Sequence, residues 1–491
     1  MKIAFVNDSC ERLGVGYIAS LLRSHGHDVR LFVDPQYFND ENISIRCLHA
    51  RFDYKKTIVP ALKAFAPDLI GFSVVSDFYP WACQMAELIK KEMPAPIIFG
   101  GIHPTSVPDR VITNPCVDMV CVGEGEYPML ELVQSLTAGT PDYSIKNIWF
   151  KKNGAIIKNE QRNLIRDLNT LPFPAKDLFY SASPHLAQCY YIMASRGCMY
   201  SCSYCCHSIL RQRCLGKGAY FRQRRVDHVL EELKTARERY QIRYVRFFDD
   251  SLGSNMTWLK EFSEKYPRDV GLPFICYMYP SHVSAETARL LKTAGCCEVE
   301  IGVQSLNEDL SRSVLNRNMS VETIANAIDL LKREKIRLVA DNIVGLPGQE
   351  EADVVRMAQF YNQRRVNRIY FFWLRYYPGT RITEYAKEHG ILRAEEYERI
   401  MDGAPSRPFS RGGNTMNAEW MGLQFLFFLI PLLPPRVINW MIKKRIYRYF
   451  SKIRSPGIFA ALTSLFSTAY NDKLLIRREI ARYSRLFKGA H

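Results

Sequence analysis

The sequence predicts an α/β protein: a doubly wound parallel sheet, then a second α/β domain of barrel-like form, then a mainly helical C-terminal tail. Three observations predict it. Short apolar runs alternate with segments of helical spacing over residues 1–140 and again over 186–400, and strands of buried parallel sheets read as such continuous runs. At 491 residues and 47% hydrophobic content the chain can bury more than one core. Beyond residue 400 the alternation ends and an apolar, then basic, region of residues 401–491 begins.

In the first part "KIAFVND" is an apolar run that ends in polar residues; "VGYIASLLRSHG" has helical spacing and stops at Gly26, and "DVRLFV" comes next. "PDLIGFSVV", the helical "YPWACQMAELIKKE", "APIIFGG" and "VDMVCVGEGE" complete the series. Ligands of such sheets sit beyond the carboxyl ends of the strands, where residues 7–16, 73–78, 100–105 and 123–126 fall. Residues 141–185 read as a hairpin and linker: "FKKNGAIIKN" carries an Asn-Gly turn, and the prolines of "DLNTLPFPAKDLF" mark a connector. "CYYIMASRG" is a strand that runs straight into a cysteine cluster, and strand and helix then alternate as far as "RIYFFWLRYYPGT". That order predicts functional loops after each strand of the second domain.

The net charge of +16 is unevenly placed. From residue 436 onward, thirteen Lys/Arg face only Asp472 and Glu479, so this tail carries +11 and the first 435 residues only +5. The basicity therefore bears on what the tail touches rather than on the first 435 residues. The start "MKIAFVNDSCERLG" lacks a basic region followed by an apolar run and a cleavage site. With 14 scattered cysteines, the expectation is a reducing cytosol, where a tight cysteine cluster reads as metal or redox chemistry.

"ASRGCMYSCSYCCHS" puts four cysteines into nine positions. Cys198, Cys202 and Cys205 form C-x3-C-x2-C directly after a strand. An iron–sulfur cluster usually has four cysteine ligands, so a 4Fe–4S cluster on these three keeps one iron open to a substrate or cofactor. Zinc stays open as the alternative, because three cysteines with His207 make a legitimate structural site. Cys206 reads as a small buried hydrophobe.

With Tyr204 ahead of the last cysteine, this spacing resembles the signature of radical S-adenosylmethionine (SAM) enzymes. "FFDDSLG", "EIGVQS", "NIVGLPGQ" and "YYPGT" resemble later motifs of that superfamily in order, and "GGIHPT" and "VGEGE" resemble the cobalamin-binding domain that precedes it in one large subgroup. The resemblance spans about residues 1–400. It implies a Rossmann-like (flavodoxin-like) cobalamin domain and a partial (β/α)6 barrel. It implies that Cys198, Cys202 and Cys205 hold a 4Fe–4S cluster, that Asp249 and Asp250 orient the SAM ammonium, and that Gln304 and Ser305 hold its ribose or carboxylate. Gly345, Pro347 and Gly348 would lie against adenine. Gly100 and Gly101 would let backbone approach the corrin of cobalamin, with Ser73, Thr105, Gly123 and Glu124 as its hydrogen-bonding neighbours and His103 as a loop histidine or a cobalt-face residue. Two departures stand out: D-x-H-x-x-G is missing, and Gln304 replaces a glutamate common in relatives.

The resemblance implies SAM cleavage to a 5′-deoxyadenosyl radical and, most often in relatives with both domains, methylation of an unreactive carbon; cyclisation or rearrangement is the second reading. A zinc-stabilised nucleic-acid-binding protein is the remote third, which leaves the ordered loops unexplained and lacks a nucleic-acid motif. The expected partners are a small, lipid-like substrate and an electron donor such as flavodoxin or ferredoxin, without nucleic acid. Residues 421–450 join a dense apolar run, broken by Pro431, Pro434 and Pro435, to Lys443, Lys444, Arg445 and Arg448. That pattern reads either as an interfacial segment at the inner face of a membrane or as a helical cap on the barrel mouth.

Overall fold

The computed structural model describes residues 1–39, 45–403, 420–450 and 469–487. The chain divides into two compact units, one of Met1–Leu186, Tyr204–Arg222 and Tyr376–Pro405, the other of Ala187–Ser203, Gln223–Arg375 and Ser406–His491.

In the first unit, strands β1 (Lys2–Asn7), β2 (Asp28–Val33), β3 (Leu69–Ser73), β4 (Ile97–Gly100) and β5 (Met119–Cys121) pair in parallel in the order β2-β1-β3-β4-β5. The sequence order reverses between β1 and β3, which is the switch point of the flavodoxin-like arrangement. Two antiparallel strands, β6 (Ile148–Lys152) and β7 (Ala155–Lys158), extend the sheet beyond β5. Their turn is the Asn153-Gly154 pair read from the sequence, and both residues have positive φ, 50° and 79°, as a type I′ hairpin requires. Helices α1 (Leu13–Ser24), α2 (Lys55–Phe65), α3 (Tyr79–Glu92) and α4 (Glu126–Thr137) connect the parallel strands and lead on from the last of them. One continuous core of aliphatic side chains, including Ala4, Val6, Leu62, Ile70, Met85, Ile89 and Ile97, fills the space between α2, α3 and one sheet face.

In the second unit six strands, β8 (Cys189–Ile192), β9 (Tyr244–Phe247), β10 (Phe274–Met278), β11 (Cys296–Gln304), β12 (Arg337–Val344) and β13 (Arg368–Trp373), pair in parallel in chain order. Helices α5 (Val226–Tyr240), α6 (Met256–Asp269), α7 (Ala285–Ala294), α8 (Val321–Arg333) and α9 (Glu351–Arg364) make the crossovers. Side chains alternate along each strand. One set packs outward under the helices, as Phe247 and Phe274 do against Phe262 of α6 at ring-centroid distances of 5.5 and 5.7 Å. The other set faces inward and includes Tyr191, Arg246, Tyr277, Glu300, Asp341 and Tyr370.

The apolar run at residue 421 forms α10 (Met421–Leu429), whose residues Met421 to Phe428 are all buried. It covers the outer face of the edge strand β13, where Phe427 lies 5.2 Å from the ring of Phe371 and Gln424 accepts the Trp373 indole N–H at 3.4 Å. This part of the tail is therefore core. Of the stretch read as a membrane-facing segment, only α11 (Pro435–Lys443), α12 (Tyr447–Phe450) and the turns beside them are left to face outward.

The last described helix, α13 (Tyr470–Phe487), closes the amino-terminal end of the barrel. Asp472 pairs with Arg368 at 3.3 Å and accepts from Tyr370 Oη, both on β13. Leu474 packs on Cys189 and Ile275, and Arg478 donates to Tyr191 on β8. Six helical residues span about 9 Å, whereas the edges of a flat six-stranded sheet lie about 24 Å apart. The stretch from Asp472 to Arg478 can reach both edge strands only because the sheet is strongly curled. Among the described residues no helix is long and apolar enough to cross a membrane.

Arg368 and Asp472 are nearly inaccessible, at 5% and 3%. Removing one partner strands the other charge, so Asp472→Ala is expected to cost about 3–5 kcal/mol. The check is chemical denaturation, where the transition of the second unit moves to lower urea while that of the first stays in place.

Candidate functional site

In the second unit the cysteine loop starts where β8 ends, and neighbouring strands hold it from several sides. Asp249, just past β9, is buried and accepts hydrogen bonds from the Ala194 N–H at 3.0 Å and from the Ser195 hydroxyl. Burial pushes its carboxyl up to about 6. Asp249 thus ties the ends of β8 and β9 together, while Asp250 is exposed. Further along the loop, Tyr200 stacks on Tyr279 beyond β10 with ring centroids 3.7 Å apart. Its hydroxyl lies 2.9 Å from His282 Nε2, and His282 Nδ1 lies 2.8 Å from Ser251 Oγ. The Ser203 N–H and hydroxyl donate to the carbonyls of Leu315 and Val314 at 2.9 and 2.6 Å, and Asn316 Nδ2 donates to the Ser201 carbonyl at 2.9 Å.

Arg317 completes this clamp. Its buried guanidinium lies 3.9 Å from Cys202 Sγ, donates to the Gly302 carbonyl on β11 and sits 4.1 Å above the Tyr279 ring. A fixed cation beside one thiol suits a site whose ligand is a thiolate.

None of the fourteen cysteines is in a disulfide; Cys202 is buried and Cys198 and Cys205 are half-buried. Cys198 and Cys202 belong to the second unit and Cys205, with Tyr204, to the first. Around Cys205, the ligand atoms of Cys205, Cys206 and His207 lie within 4.8 Å of one another. His207 Nδ1 is already engaged with Tyr220 Oη at 2.6 Å. A hydrogen bond from Cys206 and burial push the Cys205 thiol far up, so a metal at this thiol would have to displace its proton. Among the described residues Cys198, Cys202 and Cys205 do not gather as one such ligand group; the ligand atoms that do gather are those of Cys205, Cys206 and His207.

The other expected SAM-side residues lie at strand ends of the same unit. Gln304 has φ of 67° at a register shift in β11, and Ser305 is buried with its Oγ accepting the Asn307 N–H at 3.1 Å. Gly345 and Gly348 have φ of 80° and 78° on either side of Pro347. Gln349 closes this turn by accepting the Gly345 N–H at 2.8 Å.

In the first unit, Ser73 and Gly100 end adjacent strands and Gly101 comes next. A Cβ on Gly101, whose φ is 99°, would stand 2.8 Å from the backbone of Val74 and 3.3 Å from Ser73 Oγ, so only glycine fits there. Thr105 Oγ1 accepts the Gly123 N–H at 3.0 Å. Glu124 accepts from the Ile165 N–H at 2.8 Å and from Arg222 at 3.0 Å, which anchors the linker. His103 is fully buried against the Tyr79 ring, with Nδ1 3.1 Å from Ser76 Oγ. Burial holds it down to about 4, so it is neutral and belongs to the core of this unit.

Sequence reasoning missed Arg317, Tyr200 and the polar layer of the barrel lumen. There, Arg246 donates to Glu300 Oε2 at 2.8 Å and to Tyr277 Oη. Glu300 and Asp341 are hydrogen-bonded to each other, and burial raises both carboxyls. Asp341 Oδ1 has no hydrogen-bond partner. The inward residues Tyr191, Tyr277, Asp341, Tyr370 and Phe372 are only half-buried and Phe248 is exposed, whereas the outward Phe247, Cys276, Asn342 and Phe371 are buried. That inverted burial marks a hollow lumen. A signal was available: Arg246, Glu300 and Asp341 are ionisable residues inside strands that otherwise read as apolar runs.

Comparison with known proteins matches this architecture. Residues 192–361 match the radical SAM superfamily and residues 3–133 the B12 binding domain. An uncharacterized methyltransferase of Pyrococcus horikoshii is 26% identical over 77% of this chain and 79% of its own length. The anaerobic magnesium-protoporphyrin IX monomethyl ester cyclase of Synechocystis is 24% identical over 73% of this chain and 70% of its own. The structure of the radical SAM methyltransferase TsrM of Kitasatospora setae, with cobalamin and a [4Fe-4S] cluster bound, shares the fold: TM-score 0.68, 17% identity, 98% of this chain and 99% of that one. The chain belongs to the radical SAM enzymes that carry an N-terminal B12 binding domain, a family of methyltransferases whose cofactors are a 4Fe–4S cluster, SAM and cobalamin.

The clamp has two measurable consequences. The folded protein holds the Asp249 proton to a higher pH than the unfolded chain, so this contribution to stability is full below about pH 4 and is lost as pH rises to about 6. A stability–pH profile is expected to lose this component, up to about 3 kcal/mol, in Asp249→Asn. Replacing Arg317 by Met removes a charge-assisted contact and is expected to lower the cluster midpoint potential by about 50–100 mV. Arg317→Lys restores part of it, as read by redox titration of the cluster signal.

Proposed function

We propose that this enzyme methylates an unactivated carbon of a small molecule that has an apolar body and one polar group. The lumen carries that reading: Tyr191, Phe248, Tyr277, Tyr370 and Phe372 line it, and Asp341 at their level keeps a buried oxygen without a partner. Aromatic rings suit an apolar body, and a buried carboxyl oxygen gains most from a donor group on the substrate.

When bound, the cluster supplies the electron that cleaves SAM, and cobalamin carries a methyl group. Cys198, Cys202 and Cys205 would hold the cluster, and Arg317 would keep the Cys202 sulfur in a positive field. Gln304, at the left-handed turn of β11, and the turn of Gly345, Pro347 and Gly348 would orient SAM above the lumen. Arg246 pairs with Glu300, which in turn holds Asp341, and the partnerless Asp341 Oδ1 would accept a hydrogen bond from a donor group of the substrate. In the first unit, Gly100, Gly101, Ser73, Thr105 and Gly123 would border the corrin. The donor of the electron is a low-potential carrier such as flavodoxin or ferredoxin, and cysteines without disulfides suit a reducing compartment.

Cyclisation or another rearrangement is the second reading, favoured by the likeness to the Synechocystis cyclase. The test is anaerobic purification with iron, sulfide, zinc and cobalt measured on one sample, followed by reduction in the presence of SAM. Methylation predicts about four irons and four sulfides, near-stoichiometric cobalt, and both 5′-deoxyadenosine and S-adenosylhomocysteine as products. Cys198→Ala, Cys202→Ala and Cys205→Ala are each expected to lose the cluster and both products. 5′-Deoxyadenosine alone, without methyl loss from SAM, would favour the second reading, and zinc without a cluster would sink both.

A further inference from the structure

We propose that α11 and the turns beside it form a docking face that seats this enzyme on the surface of an anionic lipid bilayer. Residues 420–471 contain seven Lys/Arg and no Asp or Glu. Within this stretch α10 is buried; Arg436, Lys443, Lys444, Arg445 and Arg448 lie on α11, α12 and the turn between them, and Lys452 and Arg454 lie outside the described residues.

The helix is fixed by its inner side. Ile438, Met441 and Ile442 are buried, and Asn362 of α9 donates to the Pro435 carbonyl at 3.0 Å and to Asn439 Oδ1 at 2.8 Å. Its outer side presents Val437 and Trp440, 39% and 55% exposed, one turn apart. Leu432, 36% exposed, precedes them, and Tyr449, 69% exposed, lies beyond them on α12. Single exposed apolar residues are ordinary on a protein surface; four within eighteen positions, one of them a tryptophan, form a ridge.

Cations flank that ridge. Arg436 and Lys443 stand four residues before and three after Trp440, and Lys444 occupies the next position. All three are exposed, and their side chains make no hydrogen bond or ion pair among the described residues. Arg448, on α12, pairs with Glu351 at 2.8 Å. Pro434 and Pro435 lack an N–H to leave unsatisfied in a lipid interface.

This is the pattern of an interfacial helix: an apolar side that enters the headgroup layer, basic residues at its border, and a tryptophan whose ring is apolar and whose N–H stays wet. Nine residues lie along a bilayer and cannot cross it. An acidic protein surface would match the cations but leave the aliphatic and aromatic ridge without a role, so charge and apolarity together select anionic lipid. Docking through this face needs neither cluster nor cobalamin, so its failure would leave the catalytic reading intact, and the reverse.

The test is flotation of the full-length protein with vesicles of phosphatidylcholine alone or mixed with phosphatidylglycerol. The wild type is expected to float with the mixed vesicles only. The pairs Val437→Ser with Trp440→Ser, and Lys443→Gln with Lys444→Gln, are each expected to weaken binding about tenfold or more. Leu215→Ser, at an apolar residue exposed in the first unit, is the control and keeps full binding. All variants spare the buried side of α11, and unchanged thermal unfolding verifies their fold. No flotation of the wild type overturns the proposal. So does flotation that survives loss of Val437 and Trp440, which is adsorption by charge alone.

Discussion

Six parallel strands curled into an open barrel cannot bury both faces under helices, and the second unit is organised by that constraint. The outward side chains meet the crossover helices and pack tightly, as the rings of Phe247, Phe262 and Phe274 do. The inward ones have no helix to meet. The barrel therefore carries there what an apolar core would exclude, namely a guanidinium, two carboxyls and three tyrosines, held by cross-strand hydrogen bonds and by Asp472 and Arg478 of α13. Such groups are costly to bury unless paired, and Arg246 pairs with Glu300. The amino-terminal end is sealed by α13, so the lumen opens toward the strand ends that carry the cysteine loop.

The same strand ends set the geometry of that loop. Each anchor comes from a different strand exit: Asp249 after β9, Tyr279 after β10, Gly302 at the end of β11. A loop held by three strand ends resists displacement better than one held by local turns, because the strands cannot shift independently within their ladder. Arg317 joins two of these anchors to Cys202, and so couples the position of the thiol to its electrostatics. Asp249, read from the sequence as a SAM-orienting residue beside Asp250, acts in this fold as a tie between β8 and β9. Two adjacent acids at a strand exit have opposite surroundings because successive side chains point to opposite sides.

The tail shows where linear reading stops. Its apolar half and its basic half are contiguous in sequence, and the sequence left two uses for them open, membrane surface or packed cap. The fold separates them. Edge strand β13 has no crossover helix of its own after it, and α10 fills that position, which draws the apolar run into the core. α11 is too amphipathic to be buried whole, so one side packs and the other stays outside with the cations.

Much of the protein was legible in order along the chain. The alternation of apolar runs and helices, the Asn-Gly hairpin, the C-x3-C-x2-C spacing and the glycine turns are local signals, because period, turn chemistry and ligand spacing depend on residues close in sequence. These determined the two α/β parts and the family. What the tertiary structure alone decided depends on residues far apart in sequence and close in space. Arg317 lies 115 positions from Cys202, Glu300 lies 54 from Arg246, and Asp472 lies 102 from Tyr370. No local pattern encodes such pairs, because only the closure of the sheet brings their strands together.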